Sequence, residues 1–386
     1  MSCPARVLHV ITRMNVGGAG GFVLDMCRML PRDEFDCRIL SGPEPDYEGS
    51  LEPACAEAGV ELIRSPHLLR RPDPWRDGAA ARHIASMITA WQPDLIHTHT
   101  AKAGFLGRWV AHRRGVPAVH HIHGWTFAHQ RPALLRRGFR WMEARAAHWC
   151  LKLLAVCRAD LRRGLEAGIG REEQYEVVPA GIDVEGVRRE AECPPSDLVD
   201  WKGEMPLLAF IGRYSEQKDP LCFIDAAHHL ESARPGGQRF LMVGDGPLAE
   251  RVMERLGSGP ARSATRTEGF RSDVARVLGC VDVLVHPSRH EGLPRMLLEA
   301  FAAGVPVVAT AVDGCAEILR DGETALTPPR EPAAFAQGAA RLLETPGLAA
   351  RLTSGGRALL PGYEITACAE RLATVYRDLL RQGDRE

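Results

Sequence analysis

The chain has 386 residues, 45% of them hydrophobic and 25% charged, with 48 Lys and Arg against 49 Asp and Glu for a formal net charge of −1. An apolar fraction of that size excludes disorder, 38 Gly without a period exclude a collagen-like repeat, and no run reaches the roughly 18 apolar residues of a membrane span. At roughly 150 residues per domain the length fits two or three domains, each with a core of its own.

In chain order, short β-branched runs alternate with helical stretches. Strands are predicted at Val7–Thr12, Arg38–Leu40, Glu61–Ile63, Leu95–His97, Ala118–Ile122, Leu153–Val156 and Val177–Val178. A second series covers Leu207–Ile211, Phe240–Val243, Val283–His286 and Val307–Ala309. Such βαβα alternation predicts two doubly wound α/β domains with parallel sheets, and ligands in such folds sit beyond the carboxyl ends of the strands. The polar stretch 185–204, with Pro194 and Pro195, marks the join. We therefore place a first domain at 1–195, a second at 196–365, and a C-terminal helix at 366–386 that can return to the first domain.

The first twenty residues lack the apolar core of a signal peptide, and the 11 Cys are scattered with no C-x-x-C pair, so reduced thiols in a cytoplasmic protein are expected rather than disulfides or a zinc site. Charge is uneven. From Lys102 to Arg171 there are 14 Lys and Arg against 3 Asp and Glu. Within that block Leu135, Phe139, Met142, Ala146 and Trp149 recur at helical spacing, with Arg136, Arg137 and Arg140 off that face. Two readings stay open: a helix packed on its own domain with solvated arginines, or a basic face meeting an anionic bilayer at the inner side of the membrane. No nucleic-acid module is present, so nucleic acid is not an expected partner.

The segment Ser288 to Phe301 reads as a loop after an apolar strand, opening into a helix with Pro294 at its start. Backbone N–H groups there favour a diphosphate. Glu291 on the loop and Glu299 two turns into the helix can both reach one extended ligand, and carboxylates accept well from sugar hydroxyls; the plainer alternative is a loop charge and a solvated helix residue. Gly212-Arg213-Tyr214-Ser215-Glu216-Gln217-Lys218 follows another strand, with two cations five residues apart that can clamp a diphosphate. Val243-Gly244-Asp245-Gly246-Pro247-Leu248-Ala249 has G-x-G-x-x-A spacing, with Glu268 near the distance of a ribose-binding acid, and so raises a nicotinamide-dependent oxidoreductase as a competing class against a tight structural turn. Gly17 and Gly18 open a helix after the first strand, His97 and His99 end one strand, and His120, His121 and His123 end another. No acidic cluster accompanies those histidines, and no D-x-D triplet occurs in the chain.

Together these motifs resemble the retaining GT-B glycosyltransferases of the glycogen-synthase-like group, glycosyltransferase group 1, whose E-x7-E signature Glu291 and Glu299 match. The resemblance runs from Gly17-Gly18 to the Glu291 region and thins over the last sixty residues or so. It implies two Rossmann-like domains facing across a cleft, a nucleotide-diphosphate sugar as donor substrate, no metal and no other cofactor. By the same resemblance Arg213 and Lys218 hold the diphosphate, Glu291 positions sugar hydroxyls, and Glu299 the ribose. Gly292, Leu293 and Pro294 line the donor, as do Gly17 and Gly18; His123 in its H-G-aromatic turn contacts the donor sugar, and His99 and Lys102 face the acceptor. Gly20 stands where a polar residue often follows the glycine pair. Val178-Pro179-Ala180-Gly181-Ile182-Asp183 resembles a P-N-G-[IV]-D turn with Ala180 in place of Asn. The implied reaction is sugar transfer with retention to a hydroxyl acceptor, lipid-linked or polysaccharide. A sugar-nucleotide epimerase and a non-catalytic sugar-nucleotide binder are the alternatives.

Overall fold

The computed structural model describes residues 3–43, 49–128 and 132–383; Arg131 of the basic block and the last three residues of the C-terminal segment lie outside them. The described chain forms two compact units, residues 1–181 with 365–386 and residues 182–364. The division thus falls before Ile182 rather than at 195, because Ile182 N–H donates to the Tyr363 carbonyl at 3.0 Å and the helix that follows, Val184–Ala191, packs on the helices Val274–Leu278 and Arg295–Ala303 of the second unit. The 178–183 turn explains the exact place of the switch: Asp183 caps the helix Val184–Ala191, its Oδ1 accepting from Gly186 N–H at 2.7 Å.

The first unit holds seven parallel strands, β1 (Ala5–Ile11), β2 (Phe35–Ser41), β3 (Glu61–Arg64), β4 (Leu95–His99), β5 (Ala118–Ile122), β6 (Lys152–Ala155) and β7 (Tyr175–Val177), in the order β3-β2-β1-β4-β5-β6-β7. The second unit holds β8 (Leu207–Ile211), β9 (Arg239–Val243), β10 (Thr265–Glu268), β11 (Val283–His286) and β12 (Val307–Ala309), in the order β10-β9-β8-β11-β12. Central strands such as β5, β8 and β11 are buried throughout, as parallel strands covered on both faces must be. The order reverses direction between β1 and β4 and between β8 and β11, and loops that leave such a switch point diverge and open a crevice. β10 is the one strand missing from the sequence-based expectation. Its residues, Thr-Arg-Thr-Glu, carry no apolar run because it is an edge strand whose Arg266 and Glu268 pair with each other at 2.5 Å.

The expected amphipathic helix is present at Ala133–Ala147, but its apolar face is only half used. Ala146 is buried, whereas Leu135 is 51% exposed and Leu134 81%. Trp149 falls beyond the helix end. The helix Ile365–Gly383 belongs to the first unit: Tyr376 is fully buried, its ring 5.5 Å from Phe35 and its hydroxyl 2.5 Å from His97 Nδ1, while Arg377 pairs with Glu34 at 2.7 Å. Tyr376→Ala should therefore lower the unfolding free energy by about 3–5 kcal/mol and Tyr376→Phe by about 1–3 kcal/mol, the latter from an imidazole nitrogen left unpaired. Urea denaturation curves rank them, and a Phe variant as damaged as the Ala variant would show that ring packing is not what holds this helix.

Candidate functional site

In the second unit the loops leaving β8 and β11 meet. Lys218 Nζ lies 2.6 Å from Glu291 Oε1, and the same oxygen is 3.1 Å from His286 Nε2. Ser288 Oγ is 3.0 Å from that His286 nitrogen, and Gln217 Nε2 donates to the His290 carbonyl at 3.1 Å. Burial alone would raise the Glu291 carboxyl, but the Lys218 ammonium and His286 outweigh it and hold the group well below the usual carboxylate range. His286 is pushed down by burial, so at neutral pH it is an uncharged imidazole bracing a carboxylate. An ammonium has three N–H donors. Glu291 takes one, which leaves Lys218 donors for ligand oxygens.

The loops are held from outside the motif as well. Asp313 Oδ2 accepts from Glu291 N–H at 3.2 Å, and Asp219, directly after Lys218, accepts from Arg289 at 3.1 Å and Arg330 at 2.7 Å. Both aspartates sit at positive φ, 47° and 52°, a conformation that costs a non-glycine residue energy and clusters at functional sites. Arg213 is half-buried on the same β8 loop as Lys218. Leu293 and Pro294 are buried, Gly292 partly so, and Pro294 is the residue before the helix Arg295–Ala303, on which Glu299 is half-buried. The first turn of that helix directs its N–H groups back toward the loop.

The G-x-G turn serves the protein's own backbone. A Cβ on Gly244, at φ 139°, would lie 2.1 Å from the Gly212 carbonyl oxygen, and Tyr214 N–H donates to the Asp245 carbonyl at 2.9 Å. Glu268 is taken by Arg266 and Arg271. These glycines let the Arg213 loop be clamped from beneath, which is a different job from approaching a pyrophosphate.

In the first unit, the parallel register sets His9 beside His97 and His99 beside His121, all side chains on the face covered by the helices Gly18–Met29 and Ile365–Gly383. His9 Nδ1 lies 3.1 Å from His99 Nε2, and His99 Nδ1 lies 3.1 Å from His123 Nε2. Both nitrogens of the fully buried His99 are therefore engaged, so its place is behind His123 rather than at an acceptor. Each contact needs one proton, and neutral rings allow two patterns. One puts a proton on His9 Nε2, which is buried without a partner; the other puts it on Nδ1 of His123, the ring of this row that reaches solvent. The second avoids an orphaned N–H. His123 thus offers a donor. Lys102 is bonded to Asp77 at 2.5 Å and to the Arg71 carbonyl. His120 lies on the other face against Thr98 Oγ1, at 3.0 Å, and packs on Gly104.

Gly17 is the extended residue before the helix, and a Cβ on Gly18 would meet nothing within 4 Å. Space is instead missing at Gly20, where a Cβ would lie 2.5 Å from the Asn15 carbonyl oxygen. Thr100, between His99 and Lys102, has φ 62° and ψ 158°, held by Thr12 Oγ1 at 2.7 Å. For a β-branched residue this is a strained backbone, and it marks the turn after β4. His9, His286, Asp219, Asp313 and Thr100 had no motif to announce them. Strand-end position was the available signal for His286, and strand period for His9.

Burial, the leading cause in each case, pushes His97, His99, His120 and His121 well below the ordinary imidazole range, and His123 down to about 3. Their folded values lie below the unfolded one, so the native state binds fewer protons. Stability is then fully present above about pH 6.5 and is lost as pH falls below it, by about 1.4 kcal/mol per pH unit for each ring. Melting temperature should hold between about pH 8 and 7 and drop steeply below about pH 6. A profile flat to about pH 5 would mean these rings are not kept neutral.

The family pattern described as Glycosyltransferase Family 4 matches residues 16–185, and that described as Glycosyl transferases group 1 matches residues 205–345. An Escherichia coli UDP-Gal:α-D-GlcNAc-diphosphoundecaprenol α-1,3-galactosyltransferase is 26% identical over 322 residues, covering 80% of each chain. A D-inositol 3-phosphate glycosyltransferase of Thermomonospora curvata is 30% identical over 318 residues, 73% of this chain and 71% of that one. In structure, Anabaena HepE, solved with UDP and glucose, superposes with a TM-score of 0.82 at 18% identity, over 97% of this chain and 100% of that one. Two pattern matches that together span both units, and a relative at this identity over most of both chains, settle the family: the chain belongs to the group 1 glycosyltransferases and is a glycosyltransferase of the GT-B fold.

Proposed function

We propose that the protein moves a sugar from a nucleoside-diphosphate sugar to a hydroxyl of a lipid-linked or polysaccharide acceptor, with retention and without a catalytic divalent metal. The observation that carries this reading is the Lys218–Glu291 pair at the β8/β11 switch point, a fixed cation with donors to spare beside a helix start. Arg213 and Lys218 receive the negative charge as the bond from sugar C1 to the phosphate oxygen breaks and its electron pair leaves with the diphosphate. The acceptor oxygen attacks C1 on the same face, and its proton passes to the departing phosphate oxygen. Glu291 and His123 orient sugar hydroxyls, Glu299 the ribose, and the 292–294 loop with Gly17 and Gly18 lines the donor. Lys102 stands near the acceptor. A diphosphate donor is supported by HepE's UDP and by the UDP-Gal in the E. coli relative's name; that name also includes a diphosphoundecaprenol acceptor.

Lys218→Ala and Arg213→Ala should each lower turnover by about two orders of magnitude, the scale of losing one preorganised transition-state donor. Release of nucleoside diphosphate on adding acceptor measures this, and it also separates a transferase from an epimerase or a binding protein. Unchanged turnover in a folded Lys218→Ala protein would remove the clamp.

The acceptor's lipid has a candidate surface in the first unit. Leu134 and Trp141, 81% and 69% exposed, stand on the helix Ala133–Ala147 beside the exposed Arg136 and Arg137, while Arg140 is tied to the Ala167 carbonyl at 2.5 Å. No helix among the described residues is long and apolar enough to cross a membrane. The proposed association, at the cytoplasmic face, is peripheral, each basic residue contributing about 1 kcal/mol at an anionic surface. Cosedimentation with vesicles should rise with anionic lipid, fall with salt, and weaken in an Arg136→Ser, Arg137→Ser double variant. A flat titration at low salt would favour a small soluble acceptor.

A further inference from the structure

The carboxylate at the β8/β11 switch point does not use its two oxygens alike. Glu291 Oε1 lies 2.6 Å from Lys218 Nζ and 3.1 Å from His286 Nε2. Among the described residues Oε2 has a single contact, Gln217 Nε2 at 3.4 Å, longer than an N–H···O bond ordinarily runs. His286 is the last residue of β11 and is buried, and its carbonyl accepts from Thr310 N–H at 3.2 Å just past β12, so the imidazole stands on the sheet and not on the loop that carries Glu291.

The tautomer of His286 follows from its partner. Against the pull of burial, Lys218 and His286 keep the Glu291 carboxyl ionised, and burial keeps the imidazole uncharged at neutral pH. An ionised carboxylate only accepts, so the one ring proton of His286 has to be on Nε2, and Ser288 Oγ, 3.0 Å from the same nitrogen, shares it as a second acceptor. The torsion of a carboxylate about its last bond is broad and roughly two-fold, so an ion pair alone lets either oxygen face the cation. Donors arriving at Oε1 from the β8 loop and from the end of β11 remove that freedom. The imidazole does so without adding charge, and the Lys218–Glu291 pair stays neutral as a whole.

We propose that His286 is a positioning residue for sugar transfer: with Lys218 it occupies Oε1 of Glu291 and leaves Oε2 as the oxygen presented to the donor sugar. This role rests on Glu291 facing that sugar, as proposed above, and assigns which oxygen acts and what holds it there. Oε2 carries no proton, so the sugar group it meets is one that donates, a hydroxyl or an amine, and a deoxy position there would leave a desolvated carboxylate oxygen unpaired.

Calorimetry with UDP, UDP-glucose and UDP-galactose on the native chain, His286→Leu and His286→Gln tests this. The amide nitrogen of Gln can take the place of imidazole Nε2 and keep an N–H there, whereas Leu fills the space without one. His286→Leu should weaken the sugar nucleotides by about 10- to 100-fold, the scale of losing a hydrogen bond to a charged group or of a misplacement of about an ångström, and leave UDP within about threefold of native. His286→Gln should bind the sugar nucleotides as the native chain does. Equal losses for UDP and sugar nucleotide in both variants would mean that His286 only packs the loop, and an unchanged sugar nucleotide in His286→Leu, or no recovery in His286→Gln, overturns the role as well. A native chain that binds UDP but neither sugar nucleotide removes the donor reading of Glu291 instead. In that case, or where a variant does not fold, the native ring decides: ¹⁵N-histidine spectra at neutral pH, with the His286 ring assigned through its backbone, must show the proton on Nε2 and slow to exchange with solvent, and a proton on Nδ1 overturns the proposal.

Discussion

A carboxylate taken out of water has to be matched by charge, and the second unit is organised around one such match, Glu291 with Lys218 at 2.6 Å. The two residues belong to loops that leave neighbouring strands in opposite directions, so their attraction fixes the mouth of the switch point. Removing one partner strands the other as a buried, uncompensated charge, a loss larger than the net worth of the pair. The surroundings are arranged to prevent that. His286 braces the carboxylate from below, Asp313 orients its backbone, and Asp219 ties the Lys218 loop to Arg289 and Arg330. Gly244 and Gly246 then allow the neighbouring turn to press against Gly212 and Tyr214, so that Arg213 leaves the sheet from a fixed backbone.

The first unit meets the cost of buried polarity in the opposite way, by keeping its groups neutral. Five imidazoles lie along the covered face, and burial holds His97, His99, His121 and His123 uncharged at neutral pH. Neutral rings must share protons one per contact, so the state of His123 is set through His99 by His9, two strands away. A substitution at His9 therefore acts on His123 without touching it.

Most of the architecture was legible in the sequence because central parallel strands, buried on both faces, have to be continuous apolar runs, and the shorter edge strands follow from the same βα alternation. β10 escaped for the converse reason, being an edge strand of four polar residues. The boundary at 181 was missed because prolines 194 and 195 look like a linker, whereas the break is made by an aspartate cap at Asp183. At the site, spacing along the chain brought out Glu291, Glu299, Arg213 and Lys218. It could not bring out His9, His286, Asp219 or Asp313, whose importance comes from strand register and from backbone angles, neither of which leaves a pattern in one sequence. Leu135 shows the same limit from the other side: helical spacing marks a face as apolar without saying what covers it.

The two units thus differ in what their switch points can stabilise. At β8/β11 a half-buried guanidinium, an ammonium and a helix start stand together, and such groups gain most from a ligand whose negative charge grows. Near β1/β4 stand a neutral imidazole, the Thr12 and Thr100 hydroxyls bonded to each other, and a lysine already paired with Asp77. A net cation beside the buried imidazoles would disfavour their charged form and so hold them neutral more firmly, in the same direction as burial. The charge of Lys102 is matched where it stands, by Asp77 and the Arg71 carbonyl.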